Sequence, residues 1–235
     1  VLTDTFQMHE ADDSDELPGM EVFPENNDRV RAQKSKPIRV IIGNPPYSAG
    51  QTSANDANGN LNYPTLDGRI TETYARRTEA QNKNNLYDSY IRAIRWASDR
   101  IESDGLIAYV TNNGFIDSNT ASGLRKSLAD EFNSIYIMNF RGNSRMSGED
   151  AKREGGNIFD IRVGVSVIFL VKNSKSSKTG EISYFEFPDY ATKVEKLKGA
   201  ADFGSIEKVD FKRLSPNEEG DWINQRNKAF DKLTD

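Results

Sequence analysis

Apolar and polar positions follow two periods along the chain, and the switches between them outline a series of strands and helices. Residues 38–43, Ile38-Arg39-Val40-Ile41-Ile42-Gly43, form a β-branched run that stops at glycine and then Pro45-Pro46. This predicts a buried strand with an abrupt end. From Leu86 to Ser103, the apolar residues Leu86, Tyr90, Ile94, Ala97 and Ile101 recur every three or four positions, which predicts an amphipathic helix. Asp104-Gly105 is expected to close it, and Leu106–Val110 predicts the next short buried strand. Ser118 is expected to cap a helix carrying Leu124, Leu128 and Phe132 on one face. Ser134–Phe140 then predicts a third strand, and Val163–Val171 a fourth, strongly apolar one.

The intervals are polar. Ser48–Asn85 and residues 141–158 carry little periodicity and are expected to be loops, the first long enough to be functional or disordered. Lys172–Lys178 looks like a linker; beyond it lie a candidate strand at Ile182–Phe187, a Lys-rich helix candidate and a weakly patterned end. A soft domain boundary is placed near residue 175. Alternation of strand and helix predicts a mostly parallel α/β sheet.

At 235 residues the chain has room for one domain with a smaller appendage, and no apolar run approaches the roughly 20 residues of a membrane span. A soluble protein is expected. Cysteine is absent, which excludes disulfides, thiolate zinc sites and a Cys nucleophile and fits a cytoplasmic location. The single histidine, His9, reads as a solvated surface residue, and no second His is there to build a zinc site, so no metal is expected. Net charge is -5, but residues 9–28 hold eight acids and no Lys or Arg. That stretch reads as a solvated loop, and the sum of charge does not describe the face that meets a ligand.

The chemistry lies in Asn44-Pro45-Pro46-Tyr47, directly after the first strand. Each proline lacks an N–H and restrains the residue before it to extended conformations, which leaves a stiff edge of acceptors. The Asn44 amide oxygen and the Pro45 carbonyl oxygen can together accept both hydrogens of one planar amino group, which orients its nitrogen toward an electrophile. Tyr47 supplies a stacking face. The plainer reading is a Pro-Pro turn that ends a strand beside a packed aromatic.

With its strand and the order of the elements that follow, the motif resembles that of the N6-adenine DNA methyltransferases of the gamma motif order. The resemblance covers roughly residues 1–172 and extends through Leu86–Tyr90, Asp104–Asn113, Leu124–Leu128 and Asn157–Ser166. The last two segments are similar to the methyltransferase region of single-chain restriction–modification enzymes. This implies the C-terminal part of a Rossmann-like, S-adenosylmethionine-dependent methyltransferase sheet over residues 1–174, with residues 175–235 as linker and the start of a target-recognition region. It implies that Asn44 and Pro45 bind the amine of a flipped adenine, that Pro46 stiffens the edge, and that Tyr47 and Phe159 stack on the two faces of the base. Asp4 and Phe6 would touch the cofactor, double-stranded DNA would be the partner, and Arg76, Arg77, Arg145 and Arg153 would belong to a phosphate-facing rim with Arg69, Lys83, Arg141, Lys152 and Arg162.

Two rivals remain: an amino-methyltransferase of protein glutamine or ribosomal RNA guanine, and a DNA-binding module whose motif is vestigial. The family's Gly-rich cofactor turn is expected upstream of the motif, yet residues 1–43 contain only Gly19 and Gly43. The cofactor-binding half, with a possible helicase and nuclease, is therefore expected before Val1 in a larger polypeptide. These 235 residues alone should bind S-adenosylmethionine weakly and not methylate; micromolar affinity in a calorimetric titration would contradict this.

Overall fold

A computed structural model describes residues 4–10, 24–47 and 63–223. The first three residues, most of the acidic stretch, the first part of the polar stretch after Tyr47 and the end beyond residue 223 lie outside the described residues. Six strands form one sheet: β1 (Val40–Gly43), β2 (Gly105–Asn112), β3 (Ser134–Arg141), β4 (Val165–Lys172), β5 (Glu181–Glu186) and β6 (Lys212–Leu214). Their order in space is β1-β2-β4-β3-β5-β6.

The fold is α/β as expected, but the sheet is mixed rather than mostly parallel. β1 pairs parallel with β2 and β3 parallel with β5, whereas β4 runs antiparallel between β2 and β3 and β6 antiparallel to β5. A parallel return needs a crossover of a dozen or more residues, usually a helix packed on the sheet. Between β3 and β4 the only helix is the short α6 (Gly148–Glu154), which buries no residue, so the chain turns back beside the strand it has just left.

β1 was expected to be buried. It is an edge strand among the described residues, and Val40 and Ile42 are 57% and 77% exposed. Its β-branched residues satisfy strand geometry, but burial depends on a neighbour that local sequence cannot supply.

The core lies between the sheet and α3 (Ser89–Arg100) with α5 (Ser122–Glu131). All five residues of the expected stripe, Leu86, Tyr90, Ile94, Ala97 and Ile101, are buried, as are Leu124, Leu128 and Phe132. The helix boundaries differ. Asp88 caps α3 by accepting the Tyr90 N–H at 3.4 Å, so Leu86 belongs to a preceding 3-10 turn. Gly105 opens β2 rather than closing the helix; a Cβ there would lie 2.5 Å from the Arg39 carbonyl oxygen, so the β1–β2 approach requires glycine. Ser118 makes no side-chain cap; its carbonyl accepts from Arg125 at 2.8 Å.

Part of the expected long loop after Tyr47 is helix. In α2 (Pro64–Thr73), Leu66 and Ile70 are fully buried, and Glu10 caps the first turn by accepting the N–H groups of Thr65 and Leu66 at 2.8 and 3.1 Å. Glu10 is thus a buried cap rather than a member of a solvated acidic loop. His9 is likewise half-buried, 3.7 Å from Asp99, and burial lowers its pKa. α1 (Pro24–Ser35) precedes β1 and is polar on most faces.

The sheet continues past residue 175. β5 and β6 extend it, α7 (Lys193–Phe203) starts at a capping box formed by Thr192 and Glu195, and residues 217–222 return to the main core. There Trp222 meets Phe115 edge-on at 6.3 Å. Arg125, fully buried, donates to the carbonyls of Phe115, Ile116, Ser118 and Gly220 and to the Asp221 carboxylate at 2.6 Å. The division drawn near residue 175 therefore falls within one continuous sheet. A polar run resembles a linker in sequence, but Asn133 receives it by accepting the Asn173 N–H and donating to the Lys178 carbonyl.

Removing one partner of a buried ion pair leaves the other charge uncompensated. Asp221→Ala should destabilise the fold by about 3–5 kcal/mol. Equilibrium denaturation with an unchanged midpoint would contradict this.

Candidate active site

Several segments meet at one end of the sheet. β1 and β2 are parallel, so Asn44 and Asn112–Gly114 leave at the same edge; β3 delivers Gly142–Arg145 there, and β4 begins there after Gly164. The carboxyl ends of neighbouring strands in an open α/β sheet form the crevice where ligands bind.

In the Asn-Pro-Pro-Tyr turn, Asn44 and Pro46 are exposed, Pro45 is buried and Tyr47 half-buried. The Tyr47 hydroxyl donates to Asn44 Oδ1 at 3.2 Å, which ties the amide oxygen to the ring. Tyr47 meets Tyr90 edge-on at 6.3 Å. Burial pushes the Tyr47 phenol up to about 12, so it stays a neutral donor at physiological pH.

Tyr90 also lines a cavity of about 250 Å³ with Asn112, Asn113, Asp117, Asn143 and Arg145. From Asn113 in its lining a chain of hydrogen bonds runs into the sheet. Asn113 accepts from Ser166 Oγ and donates to Asn139 Oδ1 at 2.8 Å; Asn139 donates to the Tyr184 hydroxyl at 2.8 Å, which donates to Glu186 at 3.0 Å. Asn112 Oδ1 accepts the Gly114 N–H at 2.8 Å, turning the chain into α4 (Gly114–Asp117). A Cβ on Gly164 would lie 2.5 Å from Asn113 Nδ2, so the close pass of β4 requires glycine. Burial raises the Asp117 carboxyl to about 6, with Glu154 adding to the rise and Arg125 opposing it.

Phe159 is 47% exposed on the loop before β4, so it is not a core aromatic. Asn157 shapes this loop by donating to the Gly142 and Val163 carbonyls at 3.0 and 2.7 Å and accepting the Phe159 N–H at 2.9 Å. Buried Lys196 of α7 braces it from behind, donating to the carbonyls of Glu154 and Gly156 at 2.7 and 2.8 Å. Lys193 adds an ion pair with Asp160. Among the described aromatic contacts, Tyr47 pairs with Tyr90 and not with Phe159.

Of Arg76, Arg77, Arg145 and Arg153, Arg145 lines the cavity. Arg77 is engaged by Asp130 at 2.7 Å and Arg153 by Asp189 at 3.8 Å, while Arg76 is exposed on the turn beside Arg77. The Asp4 carboxylate accepts the Tyr63 hydroxyl at 2.6 Å and the Phe6 N–H at 2.9 Å, and Phe6 packs edge-on against Tyr63. Phe6 leads into a 3-10 turn. Among the described residues no cluster of metal-ligating side chains occurs, and no helix is long and apolar enough to cross a membrane.

Motif reading missed Asp88, Tyr90, Asp117 and Asn143 as cavity residues. One signal was present: Asn112-Asn113-Gly114 directly follows an apolar strand, as Asn44-Pro45 follows Gly43.

The chain belongs to the Eco57I restriction-modification methylase family, whose model matches residues 4–146. Among solved structures, it is 44% identical to the ATP-dependent Type ISP restriction-modification enzyme LlaBIII bound to DNA, over 98% of this chain and 16% of that one, with a TM-score of 0.89. It is 42% identical to a nuclease-deletion mutant of the Type ISP enzyme LlaGI in complex with a DNA substrate mimic, over 99% of this chain and 19% of that one, also at a TM-score of 0.89. A DrdV–DNA complex matches at 42% identity and TM-score 0.79, over 88% of this chain and 20% of that one. The chain thus spans 16% to 20% of the length of these relatives.

Asp117 offers a direct check on the cavity's electrostatics. Its folded pKa of about 6 exceeds the ordinary 3.8, so its contribution to stability is present below pH 3.8 and is lost as pH rises through about 6. Asp117→Asn should therefore be more stable than the parent above pH 6, by about 1–3 kcal/mol. Thermal melts at pH 4 and pH 8 giving the same difference at both would refute it.

Proposed function

We propose that this chain is the base-binding part of an S-adenosylmethionine-dependent DNA adenine-N6 methyltransferase within a larger restriction–modification polypeptide. The observation that carries the reading is the joined unit of Asn44 and Tyr47 at the end of β1, which adjoins the cavity through Tyr90. The relatives solved with DNA support duplex DNA as the partner.

In this mechanism the target adenine leaves the duplex, because its amine cannot reach the electrophile within the stack. Asn44 Oδ1 and the Pro45 carbonyl oxygen accept the two amine hydrogens and draw the nitrogen lone pair out of conjugation. Asn44 Oδ1 has a second lone pair, so it can keep the Tyr47 hydroxyl while accepting from the base. Tyr47 stacks on one face with Tyr90 propping its ring, and Phe159, exposed on a braced loop, is free to reach the other. Arg145 would hold a phosphate or base edge at the cavity mouth.

S-adenosylmethionine supplies the electrophilic methyl group when bound. Asp4 fits the adenosine end: Tyr63 and Phe6 fix its carboxylate as an acceptor for an amine or ribose hydroxyl. The rest of that pocket is assigned to the upstream part of the polypeptide, for which the exposed Val40 and Ile42 on the edge strand offer an apolar seat.

Asn44→Ala in the full-length protein should slow single-turnover adenine methylation by on the order of 100-fold while duplex binding stays within a few-fold. Mass spectrometry of nucleosides reads the product. N4-methylcytosine instead of N6-methyladenine, or an unimpaired variant, would overturn the reading.

A further inference from the structure

Two carboxyls line the cavity, and they are differently employed. Asp88 is committed to the N-terminus of α3, where it accepts the Tyr90 N–H. Asp117 ends α4 and is more than half withdrawn from water. Among the described residues it has no ion-pair partner and no bond to another side chain, only one to its own backbone N–H. Arg125, the cation whose charge acts on it, spends its guanidinium on the carbonyls of Phe115, Ile116, Ser118 and Gly220 and on Asp221. The other ionisable groups facing Asp117 are Glu154, behind the loop, and Tyr90, Asp88 and Arg145 around the cavity. Burial without a partner raises the pH at which a carboxyl gives up its proton, and a carboxyl that keeps its proton is a hydrogen-bond donor.

The ligand's chemistry calls for such a donor. With both amine hydrogens accepted by Asn44 and Pro45, the polar atoms left on an adenine ring are the nitrogens N1, N3 and N7, all acceptors. A carboxylate would repel them, and a neutral carboxyl would bind one.

We propose that Asp117 is a base-positioning residue that, in its protonated form, donates a hydrogen bond to a ring nitrogen of the flipped adenine. This rests on the adenine reading given above. The bond would fix the rotation of the ring about its amine, so that the nitrogen held by Asn44 and Pro45 presents its lone pair in the transfer direction. Because the donor is an acid whose pKa burial raises to about 6, methyl transfer should weaken as pH rises above that value. Asn in its place would donate at every pH.

The test uses the full-length protein, single-turnover methylation and duplexes carrying adenine, 1-deazaadenine, 3-deazaadenine or 7-deazaadenine at the target position. The parent protein should lose about 10- to 100-fold on one deaza analogue, the one lacking the acceptor. Asp117→Leu should show a similar loss on adenine and no further loss on that analogue. Asp117→Asn should stay within a few-fold of the parent on adenine and lose the decline at high pH. Unchanged duplex binding by Asp117→Leu serves as its folding control, and Asp117→Asn, expected to be the more stable protein, carries the test if Asp117→Leu fails to fold. N6-methyladenine formed by Asp117→Leu at the parental rate, equal sensitivity of parent and variant to every analogue, or an unaltered pH profile in Asp117→Asn overturns this proposal alone. Absence of N6-methyladenine from the parent reaction overturns the adenine reading and this proposal with it.

Discussion

The antiparallel seat of β4 between β2 and β3 is the constraint from which the site follows. Because β4 runs back through the sheet, the ends of β1, β2 and β3 and the start of β4 share one edge. The pairing of Asn112 with Val165 brings Gly164 against Asn113 so closely that only glycine fits. Segments more than 100 residues apart, from Asn44 to Gly164, thereby line one crevice. A register slip of one residue would turn every side chain of β4 to the opposite face and separate Ser166 from Asn113.

Polar groups hold this edge in shape from within. The chain from Asn113 through Asn139 and Tyr184 to Glu186 crosses three strands and leaves the amides little freedom to rotate. Arg125 does the same for the turn after β2, tying its carbonyls to Asp221 near the far end of the described chain. Lys196 does it for the Phe159 loop. A satisfied buried network is costly to disturb, since any lost partner leaves a desolvated group behind. The tail after β4 thus supports both flanks of the crevice: α7 backs the Phe159 loop, and residues 220–221 back α4.

Much of this was legible in sequence. Strands and helices with clean periodicity, such as the stripe from Leu86 to Ile101 and the runs at residues 134–140 and 163–171, lie within a few residues of where the pattern puts them. Their residues are buried because period 3.6 or period 2 is itself a statement about one buried face. The Asn-Pro-Pro-Tyr turn was legible because proline restricts the chain through covalent geometry alone. Elements without apolar periodicity were not: α6 buries nothing, and much of α2 was hidden in a polar stretch.

The sequence by itself therefore determined the periodic local elements, the Pro-Pro turn after Asn44, and the kinship those residues imply. Tertiary structure decided which strands run antiparallel, that β1 lies at an edge, that the sheet continues through the polar run near residue 175, and that Glu10 and Asp117 are withdrawn from water. The difference is physical. Backbone restriction and periodicity act over a few residues, whereas burial, register and the pKa of a carboxyl depend on atoms that arrive from distant parts of the chain.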